Sequence, residues 1–174
     1  AHWAGNQYGL NDKVRFRRMQ VYDLARTSDM YDLVLFLGVF YHLRYPLLGL
    51  DIVARKVRRN LLFQTLLMPG ESVYAAPPDM GIHERKFFLD HGWPKMSFIE
   101  NRMANDPTNW WAANHAGVEA MLRSSGLRII ARPGSEIYLC EPDPEVSASI
   151  TTWNAEEYIA ATGRSEGSNR GSAT

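Results

Sequence analysis

Residues 31–51 read YDLVLFLGVFYHLRYPLLGLD, and this stretch decides the fold class. Its first part, residues 32–39, is a short and nearly continuous apolar run, which is typical of a strand buried on both faces of a parallel sheet. From residue 47 to residue 59 the apolar side chains recur at helical spacing and cations gather at the far end, which predicts a helix. LLFQTLL at residues 61–67 predicts another buried strand. Strand, helix and strand with short links indicate a doubly wound α/β fold.

The flanking segments extend this pattern on both sides. Residues 14–19, VRFRRM, alternate between apolar and polar side chains, which predicts a strand with one buried face. Near the other end, Asn114 is a good N-cap for a helix that stops at Gly126. LRIIAR and EIYLC, joined by PGS, then predict an antiparallel hairpin that closes the sheet.

The bulk composition limits the classes of function. Nineteen basic and nineteen acidic side chains cancel, so there is no global field to recruit nucleic acid. The 174 residues fit one domain, and no apolar run approaches the roughly 20 residues of a membrane helix. The single cysteine, Cys140, fits a reducing compartment, so we expect a cytoplasmic protein without a membrane partner.

We divide the chain at about residue 145. Residues 1–145 form the main domain, interrupted at about residues 68–113 by an irregular, proline-containing insertion of the kind that often serves as a lid or binding loop. Residues 146–174 form a C-terminal extension. Its last part, SEGSNRGSAT, is small and polar, so we expect disorder from about residue 163.

In open α/β sheets a ligand lies beyond the carboxyl ends of the strands, and two such ends carry polar side chains here. Gln20 follows the first predicted strand and its side chain could pair with an adenine edge, whereas the alternative for this segment is ordinary turn chemistry, with Asp23 as a cap of the next turn. At the second end Gly38 allows a ligand close to the backbone, and Tyr41 and His42 follow it. The alternative for these two residues is a packing aromatic and a structural histidine.

A second group of candidates surrounds two adjacent tryptophans. We expect one of Trp110 and Trp111 to fill the core and the other to line an acceptor site. Asn109 and Asn114 could orient a polar acceptor. The remaining candidates for acceptor binding are the cations Arg44 and Arg102.

Metal and hydrolase chemistry find little support in the sequence. The 5 histidines include no pair at i and i+4 and no cysteine pair accompanies them, so we expect no metal site. A Gly-x-Ser-x-Gly nucleophile motif is also missing. Cys140 lies within a predicted strand, where a thiol usually serves packing.

Two strings carry a resemblance to a known family. GVFYHLRYP at residues 38–46 and NDPTNWWAANHAGVEAMLRSSG at residues 105–126 resemble methyltransferases related to the tRNA wobble-uridine carboxymethyl (cmo5U) enzymes, and the likeness runs from about residue 1 to about residue 155. It implies a Rossmann-like class I methyltransferase domain and S-adenosylmethionine as the cofactor. It also implies that four residues contact that cofactor: Val21, Tyr22, Leu37 and Tyr41. With Gln20 and Gly38, they form the predicted set of cofactor-binding residues.

The chain departs from that family in two respects. Glu136 stands where the carboxymethyl-transferring enzymes place an Arg, and a carboxylate there would repel the extra carboxylate of carboxy-S-adenosylmethionine. We therefore expect plain S-adenosylmethionine. The family's first strands and glycine-rich loop would lie before Ala1, so we expect only a partial sheet and weak cofactor binding by this part alone. A homo-oligomer would cover the sheet edge left open.

The favoured function is methyl transfer from S-adenosylmethionine to a small-molecule or glycan-like acceptor, with His42 as the base, because imidazole exchanges protons near neutral pH. Two alternatives stay open. One is modification of the tRNA wobble uridine, against which the zero net charge and Glu136 both weigh. The other is a non-catalytic, methyltransferase-like binding domain.

Overall fold

The computed structural model describes residues 6–9, 13–145 and 148–163. Its strands are β1 (Tyr31–Leu37), β2 (Val57–Gln64), β3 (Met96–Phe98), β4 (Trp111–Ala113), β5 (Leu127–Gly134) and β6 (Ile137–Pro142). The α-helices are α1 (Pro46–Ala54), α2 (His115–Ser124) and α3 (Ala148–Thr162), and 3-10 helices span Val21–Arg26, Phe40–His42 and Ile82–Leu89.

The main sheet has the strand order β1-β2-β6-β5. β1 and β2 are parallel and connected through α1, with Phe36 opposite Phe63. β6 runs antiparallel to both β2 and β5. This is a partial doubly wound sheet that ends in an antiparallel hairpin, so the predicted fold class is confirmed.

The hydrophobic core lies between one face of this sheet and two helices. Phe63 of β2 packs between the rings of Phe36 and Tyr138, with centroids 5.8 and 6.3 Å away. Leu50 of α1 and Leu122 of α2 are fully buried against this row. The aromatic row therefore fixes the position of β2, the strand whose end opens into the candidate site.

The opposite face of β1 is exposed, so the prediction of a strand buried on both faces was wrong. Leu33 and Leu35 are 57% and 61% exposed, whereas Phe36 is buried. The reason is that β1 is the edge strand of the sheet and that, among the described residues, α1 and α2 cover only the Phe36 face. An apolar run shows that a strand is buried somewhere, but it does not show how many layers cover it.

Three other local predictions were also wrong. Residues 14–19 form no strand and are exposed, because nothing in the described chain pairs with the free edge of β1. α1 ends at Ala54 instead of continuing to residue 59, because Val57 is buried in β2 and the Lys56 carbonyl already accepts from Tyr31 N. The β5–β6 turn is formed by Ser135 and Glu136 and not by PGS.

The insertion at residues 68–113 is more ordered than its sequence suggests. β3 and β4 pair as a second, two-stranded sheet, which Met68 N joins to the main domain by a 2.7 Å bond to Ala113 O. In the same insertion, the Phe87 ring stacks on Tyr74 and on Trp93, and the Tyr74 and Trp93 rings are tilted against each other.

The C-terminal extension contains α3, which we did not predict, although AEEYIAA at residues 155–161 is rich in helix formers. Tyr158 of α3 packs with Ala25 and Ile52, and the Arg55 guanidinium lies 4.0 Å from the centroid of its ring. The predicted disordered tail from about residue 163 falls almost entirely outside the described residues. Across the described ranges no helix is long and apolar enough to cross a membrane.

Candidate functional site

The carboxyl ends of β1 and β2 and the β5–β6 turn meet at one edge of the sheet. Gly38 N, just after β1, donates to Gln64 O at the end of β2 over 3.3 Å. The Gln64 side chain donates to Glu136 Oε2 over 3.1 Å, and Glu136 Oε1 accepts from Leu67 N. Glu136 therefore lies in the turn and faces this sheet edge, whereas we had placed it in the final strand.

Gly38 provides the turn at the mouth of the site. Its φ of +68° is a backbone conformation that only glycine adopts readily, and a Cβ there would lie 3.7 Å from Gln64 Oε1 and 3.8 Å from Tyr41 Oη. Neither of these two atoms forms a hydrogen bond within the described residues. Gly38 is thus adjacent to two polar atoms that are available to a ligand.

His42 ends the short 3-10 helix that follows this turn. Its ring lies 4.2 Å from the Tyr41 ring, centroid to centroid. Its Nδ1 is 3.0 Å from Thr108 Oγ1 and 3.1 Å from Thr108 O. Thr108 Oγ1 in turn donates to Asp106 Oδ1 over 2.6 Å. The hydroxyl and amide of Thr108 together hold the pKa of the Asp106 carboxyl below its usual range.

The loop that carries Thr108 is shaped by its own backbone. Ala104 and Asn105 both have positive φ, and between Met103 and Asp106 the backbone forms a reciprocal pair of hydrogen bonds, as in a tight hairpin turn. Asn109 Nδ2 closes the loop by donating to Met103 O. Directly after the loop, Trp110 N donates to Tyr41 O, which places the loop beside His42.

The two tryptophans are both half-buried and both contact Phe98, but their other partners differ. Trp111 Nε1 donates to Leu43 O over 3.1 Å, which ties it to the main domain. Trp110 stacks on Phe98, and the exposed Arg44 lies 4.9 Å from the Trp110 centroid and 5.3 Å from the Phe98 centroid. Together, the rings of Trp110 and Phe98 and the guanidinium of Arg44 form a flat aromatic and cationic wall beside the loop that carries Thr108.

Asn109 and Asn114 are both buried but differ in hydrogen bonding. Asn109 Oδ1 is one of two buried side-chain atoms that lack a partner in the described part of the chain. Asn114 instead uses its whole carboxamide on the backbone: Oδ1 accepts from Gly117 N and Lys95 N, and Nδ2 donates to two carbonyls. The predicted N-cap role of Asn114 is confirmed. Its carboxamide has no free donor or acceptor left for the predicted role in acceptor binding.

The remaining predicted residues make no hydrogen bond or ring contact with His42 in the described part of the chain. Val21 and Tyr22 are in a 3-10 helix that packs against α1, and Tyr22 Oη accepts from Tyr45 N over 3.1 Å. Gln20 is exposed at the start of this helix, where Asp23 accepts from its backbone N–H, so Asp23 has the capping role. Arg102 is exposed in the loop, and its side chain makes no hydrogen bond, ion pair or ring contact within the described chain.

Sequence reasoning missed three residues that the structure places at the site. The sequence predicts a strand through residue 67, but β2 ends three residues earlier, at Gln64, which places that residue at the sheet edge. Asp106 and Thr108 come from a distant loop. The Asp-Pro-Thr spacing is typical of an Asx turn, and this was the available signal. That the turn lies against His42 is a long-range contact, 66 residues away in sequence.

The described residues suit one side of a cofactor site. Three residues at the end of β1 could contact a ligand: Gly38 through its backbone, Leu37 through an exposed apolar side chain and Tyr41 through a free hydroxyl. No group of three or more His, Cys, Asp or Glu side chains within the described ranges is arranged to hold a metal.

Comparison with known proteins identifies the fold. The N-terminal domain of EvdMO1, solved in the presence of SAH and D-fucose, superposes with a TM-score of 0.51 at 17% identity, over 82% of this chain and 59% of that one. An O-methyltransferase family protein from Burkholderia thailandensis gives 0.51 at 13%, over 82% and 39%. This is the Rossmann-like methyltransferase fold. The chain spans less than two thirds of the length of each of these structures.

Neither sequence comparison refines this assignment. No protein-family model matches the chain, and no curated protein matches it. The resemblance of this chain to the wobble-uridine carboxymethyl enzymes stays a prediction.

Proposed function

We propose that this chain is the acceptor-facing part of an S-adenosylmethionine-dependent methyltransferase that acts on a small-molecule or glycan-like acceptor. The observation that carries the proposal is the convergence of Gly38, Tyr41 and His42 at the carboxyl ends of β1 and β2 in a methyltransferase fold. In open α/β sheets this is the edge at which ligands bind.

The cofactor, when bound, supplies an electrophilic methyl group on a sulfonium. Leu37, Gly38 and Tyr41 would hold it from the side of β1, and Val21 and Tyr22 would contribute from the neighbouring 3-10 helix. Glu136 adds a negative charge at the same edge, held there by Gln64 and Leu67 N. A carboxylate in this place attracts a cationic sulfonium and repels an added carboxylate, which favours the ordinary cofactor over carboxy-S-adenosylmethionine.

His42 would act as the general base. An unprotonated nitrogen of His42 would take the proton of the acceptor hydroxyl as that oxygen receives the methyl group. The electrons of the broken methyl–sulfur bond would return to sulfur, so the products would be an ether, a neutral thioether and an imidazolium. A base is needed only when the attacking atom carries a proton, so this role implies a hydroxyl or amine acceptor. Most of the remaining acceleration comes from holding donor and acceptor at reactive distance.

The acceptor would lie along the wall formed by Trp110, Phe98 and Arg44. Flat aromatic rings stack on sugar and aryl faces, and the adjacent guanidinium donates to hydroxyl oxygens. Asn109 Oδ1 is a buried acceptor without a partner in the described structure, and a substrate hydroxyl would satisfy it only after the loop around Asn109 opens. The structure of EvdMO1 in the presence of D-fucose is consistent with a sugar as one acceptor class.

The proposal is tested by substitution of His42 in the full chain, with any coding sequence upstream of Ala1 included. Calorimetry with S-adenosylhomocysteine measures cofactor affinity, and transfer of a labelled methyl group to a panel of sugars and phenols measures turnover. His42→Asn should reduce turnover by about 10²-fold or more and leave the affinity unchanged. His83→Asn, in an exposed part of the insertion, is the matched control.

Three results would decide against parts of the proposal. Equal loss of affinity and turnover would make His42 structural. Tight binding of S-adenosylhomocysteine without turnover on any acceptor would favour a non-catalytic binding domain. Stronger binding of the carboxylated cofactor would refute the role given to Glu136.

A further inference from the structure

We propose that Thr108 and Asp106 are positioning residues that hold His42 in the tautomer with the proton on Nδ1, which leaves Nε2 free to take the proton of the acceptor. This inference rests on the proposed function for its catalytic meaning. The tautomer itself follows from the contacts alone and can be measured without cofactor or acceptor.

The main-chain contact sets the direction of the first hydrogen bond. His42 Nδ1 lies 3.1 Å from the carbonyl oxygen of Thr108. A carbonyl oxygen only accepts hydrogen bonds, so this contact is favourable only when Nδ1 carries a proton. A bare Nδ1 would place two lone pairs against each other.

The side-chain contact gives the same answer through Asp106. Thr108 Oγ1 lies 3.0 Å from His42 Nδ1 and has one proton to donate. That proton goes to Asp106 Oδ1 over 2.6 Å, because a carboxylate accepts only. The hydroxyl oxygen then presents a lone pair to Nδ1, which again requires a proton there.

Asp106 is held in place for this role. Its Oδ1 also accepts from Thr108 N over 2.7 Å, and the hairpin turn at Ala104 and Asn105 fixes its backbone. A positive charge on His42 would interact favourably with the Asp106 carboxylate, which helps to keep the pKa of that carboxyl low. As the imidazolium forms, the line from Asp106 through Thr108 to Nδ1 would stabilise it, since hydrogen bonds to charged groups are the stronger ones.

Asp106, Thr108 and His42 thus form a relay of hydrogen bonds, in which the Thr108 hydroxyl connects the Asp106 carboxylate to the His42 imidazole. Its members come from two elements that are distant in sequence, the 3-10 helix after β1 and the loop before β4. The insertion at residues 68–113 thus contributes to the proton-transfer machinery as well as to the aromatic wall.

The test is nitrogen-15 NMR of the imidazole side chains in the full chain at about pH 8.5, where imidazole is neutral. Comparison with His42→Asn assigns the His42 signals among the 5 histidines. We expect the protonated nitrogen to be Nδ1, by a population ratio of about tenfold or more. A proton mainly on Nε2 in the unsubstituted protein would overturn the proposal.

Substitutions at Asp106 separate positioning from simple packing. Asp106→Ala frees the Thr108 hydroxyl to donate to Nδ1, so the ratio should fall several-fold toward equal populations. Asp106→Asn keeps an oxygen acceptor and should retain most of the preference. Asp79→Ala, an exposed carboxylate of the same insertion, should leave the His42 signals unchanged. An unchanged ratio in Asp106→Ala would refute the relay, with the other four histidine signals serving as the check on folding.

Activity measurements then connect the tautomer to the proposed function. Asp106→Ala should lower turnover several-fold at unchanged affinity for S-adenosylhomocysteine. An altered tautomer in a protein that transfers no methyl group would leave the relay standing and the proposed function refuted. A shifted tautomer with undiminished turnover would show that His42 is not the base.

Discussion

Replacement of Asn114 by Ala should destabilise the protein by about 3 kcal/mol, far more than an exposed polar substitution. The side chain is 4% exposed and makes four hydrogen bonds to backbone groups of two segments. Loss of the N-cap bond to Gly117 N costs about 1 kcal/mol. The bonds to Lys95 N, His91 O and Trp93 O contribute about 0.5–1 kcal/mol each, because water only partly replaces them.

Urea unfolding followed by tryptophan fluorescence measures this loss. Asn114→Ser is the matched control, since a serine hydroxyl still caps Gly117 N but does not reach the other three groups. It should recover about 1 kcal/mol of the loss. The reasoning fails if Asn114→Ala unfolds within about 0.5 kcal/mol of the unsubstituted protein, the usual range for surface changes. It also fails if Ser and Ala unfold at the same urea concentration.

Three further predictions test individual contacts. Gly38→Ala should lower the free energy of unfolding by about 1 kcal/mol, because a φ of +68° is unfavourable for alanine even though a Cβ would have room. Thermal unfolding measures this loss, and no change would mean that the turn adjusts freely. Burial raises the pKa of the Cys140 thiol to about 12, above its ordinary 9.0, so its stabilising contribution is complete below pH 9.0 and is lost as pH rises toward 12. Iodoacetamide should therefore label Cys140 only in urea, and rapid labelling of the native protein would contradict this. Trp111→Phe should lower the free energy of unfolding by about 1 kcal/mol, because it removes the hydrogen bond to Leu43 O. Trp110→Ala should mainly raise the KM for the acceptor. Similar changes in KM for both variants would refute the assignment of Trp111 to structure and Trp110 to acceptor binding.

Much of the fold followed from residues acting on their immediate neighbours. β1, α2 with its Asn114 cap, and the glycine at Gly126 with φ +79° were all predictable, because apolar period, capping and left-handed turns depend on a few adjacent residues. The same reasoning was wrong where pairing was required. Residues 14–19 have a strand pattern, but a strand also needs a partner edge, and no local pattern supplies one.

The candidate site divides in the same way. Gly38, Tyr41 and His42 were identified from their position after a buried strand, which the sequence shows directly. Asp106 and Thr108 were not, since their importance depends on a contact 66 residues away. Asn114 was recognised as a cap and also predicted to bind an acceptor, and only the observed hydrogen bonds showed that its carboxamide is fully used.

The sequence by itself therefore determined the doubly wound class, the parallel pair β1 and β2, and the strand end where chemistry is expected, because each depends on local periodicity and backbone preference. The tertiary structure alone decided that one face of β1 is open, that Glu136 lies in the β5–β6 turn against Gln64, and that the insertion reaches His42. These features arise from long-range packing, in which the free energy of a contact depends on what two distant segments bury together.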